Sequence, residues 1–395
     1  MFKRIYRHYK ESYSGLSPTV WLLAGVTLIN RSGTSVLFFM MLYLTGTLHF
    51  SPTEAGALLS LYGLGAMAGS WLGGHLSDRI GTKSIQLFSL FIGGASYLVL
   101  SEMRSTFFIG LLLFLVALLI ESFRPASATA LGNACRPEQR ARAYALNRLA
   151  INFGVALGPA LGGFLAVYDY AYIFWLESGT SIMAGFLLLF FFQESPVSGQ
   201  DRQHEIPREL SPWRDKVFIR VFILMLLTGI IFNQLFNTWP MYLKETVALT
   251  EERLGLLLTF NALIIVSFEM AIVHHIRRYK MVRMIAWGIG LMCLGFGMVS
   301  WHDGYPFLIL TVIIWSIGEM LAFPLLSAFI ANRADDRRRG AYMGATTFSF
   351  SASFVIGPIL GPYIYSRFGA FFLWNGIVLL GLLIMTGFLR LERQL

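Results

Sequence analysis

The chain has 395 residues, of which 56% are apolar or aromatic and only 13% are charged, about half the roughly 25% charge usual in a soluble domain. Mean hydropathy is +0.62, and 34 Phe, 9 Trp and 16 Tyr are spread along the whole sequence, which excludes a soluble enzyme with a single anchor. A transmembrane helix needs about 20 apolar residues, so this length holds twelve spans with short connections and no sizeable soluble domain.

In chain order, the basic stretch up to Pro18 runs into an apolar segment from Val20 to Tyr43. That run is too long for a secretory leader, so an uncleaved first span is expected. Apolar runs follow near 53–77, 83–101, 106–133, 143–166, 170–193, 217–242, 251–276, 281–301, 306–331, 341–365 and 369–390, the first lying near 18–44. The one long polar segment, 194–216, is rich in Pro, Ser and charge. The expected architecture is an all-α membrane protein of twelve transmembrane helices in two parallel six-helix repeats: a bundle over 1–193, a cytoplasmic linker over 194–216 and a second bundle over 217–395.

The net charge of +9 raises nucleic acid as a partner, and the distribution of charge dismisses it. With the N-terminus inside, 24 of the 31 Lys and Arg fall on the cytoplasmic side, four outside (Arg104, Lys244, Arg253, Arg367) and three within spans. Basicity is therefore topological, and both termini are expected on the cytoplasmic face of a cell inner membrane. Two cysteines, Cys135 and Cys293, provide neither a disulfide framework nor a metal-ligand spacing.

The halves repeat each other. Asn133 pairs with Asn332, Pro125 with Pro324, Gly158-Pro159 with Gly357-Pro358, Gly162 with Gly361, Tyr43 with Tyr242 and Gly56 with Gly255, every pair differing by 199 positions. Because six spans separate the copies, both begin on the same side, which suits two bundles rocking about a central site.

Between spans two and three the chain reads Gly74-His75-Leu76-Ser77-Asp78-Arg79-Ile80-Gly81-Thr82-Lys83. This resembles the G-x-L-x-D-R-x-G-R-K signature of the major facilitator superfamily, with Thr82 in place of one basic residue. The resemblance covers the whole chain and implies that Gly74, Asp78, Arg79 and Gly81 act in gating, with the aspartate clasping the halves. On their own chemistry, the glycines allow a tight turn, while Arg79 and Lys83 are expected to stay in water. Span five carries Gly154-Val-Ala-Leu-Gly158-Pro159-Ala-Leu-Gly162-Gly163, similar to the G-x-x-x-G-P-x-x-G-G pattern of the superfamily's antiporters. Small residues four apart allow close helix approach and proline bends a span, which makes Gly158 and Pro159 gating candidates and favours export.

Seven charges lie within spans: Arg31, Glu121, Arg124, Arg148, Glu177, Glu269 and Glu319. Each costs about 2.5–3.5 kcal/mol on an insertion scale. The resemblance implies that spans one, four, seven and ten line the central cavity. These carry Asn30 and Arg31, Glu121 and Arg124, Asn233, Gln234 and Asn237, and Glu319 respectively. Arg31 and Glu319 each lie roughly 20 Å along their helices, near mid-membrane. Expected substrate contacts are Asn30, Arg31, Asn233, Asn237, Trp239, Trp315 and Glu319, with Tyr242 and Phe323 as further aromatic candidates. Glu121 and Arg124, three apart on one helix face, and Glu319 are the expected proton-coupling groups, since burial discourages a carboxylate's charge and a nearby cation restores it. Arg148 is expected to snorkel, while Glu177 and Glu269 suit inter-helix hydrogen bonding as well as proton transfer.

The expected function is proton-coupled export of a small amphiphilic or drug-like molecule by alternating access, the partners being that solute, protons and the bilayer. No cofactor beyond the proton gradient and no metal is expected, and the resemblance implies a monomer. No phosphate loop, H-E-x-x-H or G-x-S-x-G occurs, which argues against ATP-driven or enzymatic chemistry. Span one has an arginine where the familiar drug–proton antiporters have an acid. Arg31 before Leu-Tyr-Leu, with Gly318-Glu319 before Pro324, looks similar to the proton-coupled oligopeptide transporters, although their E-x-x-E-R motif is absent. The alternative is therefore proton-coupled import of a peptide-like or anionic solute.

Overall fold

The computed structural model describes residues 15–136, 139–193, 212–276, 278–333 and 339–394. Every regular element among them is helical. Eleven helical stretches are long and apolar enough to cross a membrane, and Glu251–Ile276, a 26-residue helix, stands where the eighth span is expected. Most ends fall within a few residues of the apolar runs. Span two is Pro52–Ile80, span three Thr82–Glu102 with a π turn at Ser89–Gly93, and span four Thr106–Asn133. Spans five and six are Arg140–Ala166 and Ala171–Phe191. Span nine is Met281–Met298, span ten Tyr305–Arg333, span eleven Arg339–Phe368 and span twelve Ala370–Glu392.

Spans one and seven are interrupted, at equivalent places. Span one is Pro18–Ser32, then a break at Gly33-Thr34-Ser35, then Val36–Leu42 running into a π turn at Tyr43–Thr47. Span seven is Lys216–Asn233, a 3-10 turn at Gln234–Phe236, then Thr238–Glu245, with Asn237 at φ −127° and ψ −83°. Such breaks free backbone groups that lipid cannot satisfy. Neighbouring side chains take them up.

The chain forms two compact units, one of Met1–Val36 with Gly65–Gly199 and the other of Leu37–Leu64 with Gln200–Leu395. In the first, span one packs on spans five and six around Val20, Leu23, Leu90, Leu146, Ala184 and Leu188, all buried. In the second, span nine packs on spans ten and twelve, span seven on span eleven, and span eight on span ten. Leu37–Leu64 brings the later part of span one and the start of span two into this second unit, where Gly56 lies against the Pro358 carbonyl of span eleven.

The entry of each repeat is tied in the same manner. Ser17 caps span one and donates from Oγ to the Ala134 carbonyl at the end of span four, 2.9 Å away. Asp215 caps span seven and binds Arg333 at the end of span ten. Ala134 and Arg333 are 199 positions apart and the two caps 198, so each repeat ties its first cap to the end of its fourth span.

Candidate functional site

The structure redraws the expected loop after span two. Helix continues through Gly74 and Arg79 to Ile80, and only Gly81, at φ 91°, turns the chain before Thr82 starts the next helix. A left-handed φ of this size favours glycine. The Asp78 side chain lies outside the described set, and Arg79 is exposed. Lys83, expected in water, instead donates from Nζ to the Leu189 and Phe192 carbonyls, at 3.2 and 2.5 Å, closing the end of span six.

In span five, a Cβ at Gly154 would crowd Arg31 and one at Gly158 would collide with the Thr34 carbonyl. The glycines therefore let span five lie against the break in span one, with Pro159 inside the helix beside them. In the other repeat, Gly357 lies against Asn233 and Gly361 against Gln234 and Thr238. Gly158 with Thr34 and Gly357 with Asn233 are pairs of equivalent positions, 199 residues apart, the first glycine lying against backbone and the second against a side chain.

The first unit gathers its polar groups around span one. Asn30 is buried and donates to Ser181 Oγ of span six at 3.2 Å. Arg31, half-buried, ends the first helical piece. Glu177 accepts from the backbone amides of Ser35 and Val36, at 3.2 and 2.8 Å. Arg124 and Glu121 pair at 3.5 Å, with the Arg124 side chain 68% exposed and that of Glu121 only 16%. Arg148 is exposed.

The second unit carries Glu319 on span ten, half-buried, with its Oε2 3.4 Å from Nδ2 of Asn261 on span eight. The same amide donates to Ser316 Oγ at 2.8 Å. Glu269 is buried on span eight. Around the span-seven break, Asn237 Nδ2 donates to the Asn233 carbonyl at 2.8 Å and to its Oδ1 at 2.5 Å. Gln234 donates to the Gly357 carbonyl at 3.2 Å and accepts from Thr238 at 2.7 Å. Asn233 and Asn237 thus serve the backbone of the break, and Asn233 Nδ2 is buried with no hydrogen-bond partner.

The tryptophans expected to stack on substrate sit inside helix packing. Trp239 is 1% exposed, and Trp315 is 0% exposed and stacks on Phe296 of span nine with centroids 5.1 Å apart. Tyr242 packs on Trp374 at 5.5 Å. Half-exposed rings come instead from Phe323 and from four phenylalanines not singled out in the sequence: Phe232, Phe236, Phe350 and Phe354. Phe232 meets Phe323 at 5.0 Å, Phe323 meets Phe350 at 6.1 Å and Phe236 meets Phe354 at 5.6 Å. Phe323 lies one turn from Glu319 on the same helix face. The signal available in the sequence was the i, i+4 spacing of 232 with 236 and of 350 with 354, obscured by the sheer number of phenylalanines.

Among the described residues no cluster of three or more His, Cys, Asp or Glu could hold a metal. The first unit offers an arginine–glutamate pair and a carboxylate held by backbone amides, and the second a carboxylate with an amide partner and a wall of aromatic rings. Such groups can exchange protons and bind an amphiphile without covalent chemistry.

Eleven membrane-length apolar stretches among the described residues, a repeat visible in contacts and charged groups within the spans define a polytopic membrane protein. The family model described as Major Facilitator Superfamily matches residues 23–351 and again 221–394, and the chain belongs to that superfamily of membrane transporters. It is 26% identical to the uncharacterized MFS-type transporter YqjV of Bacillus subtilis, over 94% of each chain. It is 24% identical to a Na(+), Li(+), K(+)/H(+) antiporter of Planococcus maritimus, over 93% of this chain and 94% of the relative. It is also 24% identical to the multidrug resistance protein MdtH of Aeromonas hydrophila, over 86% of each. In fold it matches a POT family transporter crystallised with 5-aminolevulinic acid, at TM-score 0.77 and 15% identity, over 97% of this chain and 98% of the other.

Proposed function

We propose that the protein is a proton-coupled secondary transporter of the inner membrane, monomeric, with both termini cytoplasmic, exporting a small amphiphilic or drug-like molecule by alternating access. The observation that carries this reading is Glu319: a carboxylate within span ten, held by Asn261 and one turn from the aromatic wall of Phe323, Phe232 and Phe350. Hydrocarbon penalises a charge there unless a partner or proton meets it. Proton uptake at Glu319 and solute binding at the adjoining rings would therefore compete for one face of the second unit, which is the requirement for exchange. Relatives named as a cation/proton antiporter and a multidrug resistance protein support antiport and export.

The test is transport in proteoliposomes. Glu319→Gln should abolish pH-driven movement of an amphiphilic dye while the protein still folds and binds it; unchanged proton coupling would remove Glu319 from the mechanism. Direction is read in inverted vesicles, where proton release on adding the dye supports export. Acidification of right-side-out vesicles by a peptide would support import instead.

A further inference from the structure

The export reading makes no use of Glu177, which is 5% exposed inside span six. Its Oε2 accepts two backbone N–H groups, those of Ser35 and Val36, where span one resumes after its break. The approach is close, because Gly33 lies against Thr180 and the Glu177 backbone with no room for a Cβ. The groups facing the carboxylate are the Tyr97 hydroxyl of span three and the Arg31 guanidinium of span one. Of the other elements packed on span six, span five turns Arg148 to an exposed position and the start of span three sends Lys83 to the far end at Leu189 and Phe192. A second observation concerns the chain itself. Val36, the second amide Glu177 holds, is the last residue of the first compact unit before Leu37 enters the other.

We propose that Glu177 is a second proton-binding group of the transporter, a positioning residue whose carboxylate holds the break of span one and whose protonation releases it. Hydrogen bonds to an ionised acceptor are about twice as strong as neutral ones. A proton from water added to Oε1 leaves Oε2 as a neutral acceptor, and both amide bonds weaken together. The balance is one proton taken up, with no bond broken in the protein. This inference goes beyond the export reading: Glu319 would carry the coupling proton, while Glu177 would set how firmly the outer piece of span one is held.

The experiment is hydrogen exchange of peptides covering residues 33–44 in the full-length protein in detergent, corrected for the intrinsic effect of pH on exchange. Wild type should lose protection there by about tenfold on acidification, the difference between a charged and a neutral acceptor. Glu177→Gln should show the low-protection behaviour at both pH values, Glu177→Asp should restore the response, and Glu319→Gln should leave it intact. Protection that does not depend on pH in wild type, or the same response in wild type and Glu177→Gln, overturns the proposal. Should Glu177→Gln fail to fold, the wild-type and Glu177→Asp responses still decide. Because no transported solute enters the measurement, its failure is distinct from a failure of the export reading.

Discussion

The Asp215 carboxylate accepts two hydrogen bonds from the Arg333 guanidinium, at 2.6 and 2.8 Å, and so ties the start of span seven to the end of span ten. It also caps the helix through the amides of Val217 and Phe218 and takes a third side-chain bond from the Tyr342 hydroxyl at 3.0 Å. Partial burial works against its charge, but the bonds from Arg333, the Phe218 amide and Tyr342 outweigh it and lower the carboxyl from 3.8 to about 2. A lowered folded value means stability that is present above pH 3.8 and lost as pH falls through about 2. Thermal melts in detergent should therefore show an acid-sensitive component that Asp215→Ala removes. At neutral pH the same change should destabilise by about 1 kcal/mol or more, the cost of a lost helix cap with an ion-pair partner left behind.

The glycines of span five yield a steric prediction. Gly158→Ala places a methyl group against the Thr34 carbonyl, backbone that cannot turn aside, and Gly357→Ala in span eleven places one against the side chain of Asn233. Each should lower the melting temperature in line with about 1–3 kcal/mol of overpacking, and the two should behave alike despite lying in different repeats. Gly376→Ala in span twelve, with nothing within 4 Å, should be neutral or slightly stabilising by about 0.5–1 kcal/mol. Equal tolerance at all three positions would contradict the packing described.

Which of these features the sequence revealed follows from the physics of each signal. Span ends were legible because a run of about 20 apolar residues is long enough to cross the hydrocarbon core and too apolar for most surfaces in water, and the repeat was legible from Gly-Pro pairs at a fixed offset. The break at Gly33-Thr34-Ser35 was hidden inside such a run, since three small residues barely lower its hydropathy. Thr34-Ser35 and Asn233-Gln234 share the offset of 199, and their polarity in both copies was the available clue. Glu177 was visible as an intramembrane charge, but its partners are backbone amides in a distant helix, which no residue type encodes. The burial of Trp239 and Trp315 was not legible, because a large aromatic in a span has the same composition whether it packs on helices or faces solute.

The aromatic wall and the buried indoles should separate by experiment. Phe323→Ala and Phe232→Ala remove half-exposed rings that contact one another at 5.0 Å. Loss of one aromatic contact of about 0.5–1.5 kcal/mol predicts a rise in KM for an aromatic solute of up to about tenfold, with only a small change in melting temperature. Trp315→Ala empties a fully buried site stacked on Phe296 and should cost about 3–5 kcal/mol of stability. If Trp315→Ala instead changed solute preference in a protein of unaltered stability, the assignment of these rings would be reversed.

The Glu121–Arg124 pair in span four differs from the Asp215–Arg333 tie in what holds it. At 3.5 Å, with the Arg124 side chain 68% exposed, it has the geometry of a loose ion pair, worth about 0–1 kcal/mol where water reaches it. Arg124→Ala should therefore leave the melting temperature nearly unchanged. Its effect should fall on transport, because Glu121 then stands in span four without the guanidinium that pairs with it. The rate of dye transport should fall, and Glu121→Gln combined with Arg124→Ala should lower it no further than Glu121→Gln alone. A large loss of stability in Arg124→Ala, with an unchanged rate of dye transport, would make the pair a structural clasp between turns of one helix and leave proton handling to the carboxylates of other spans.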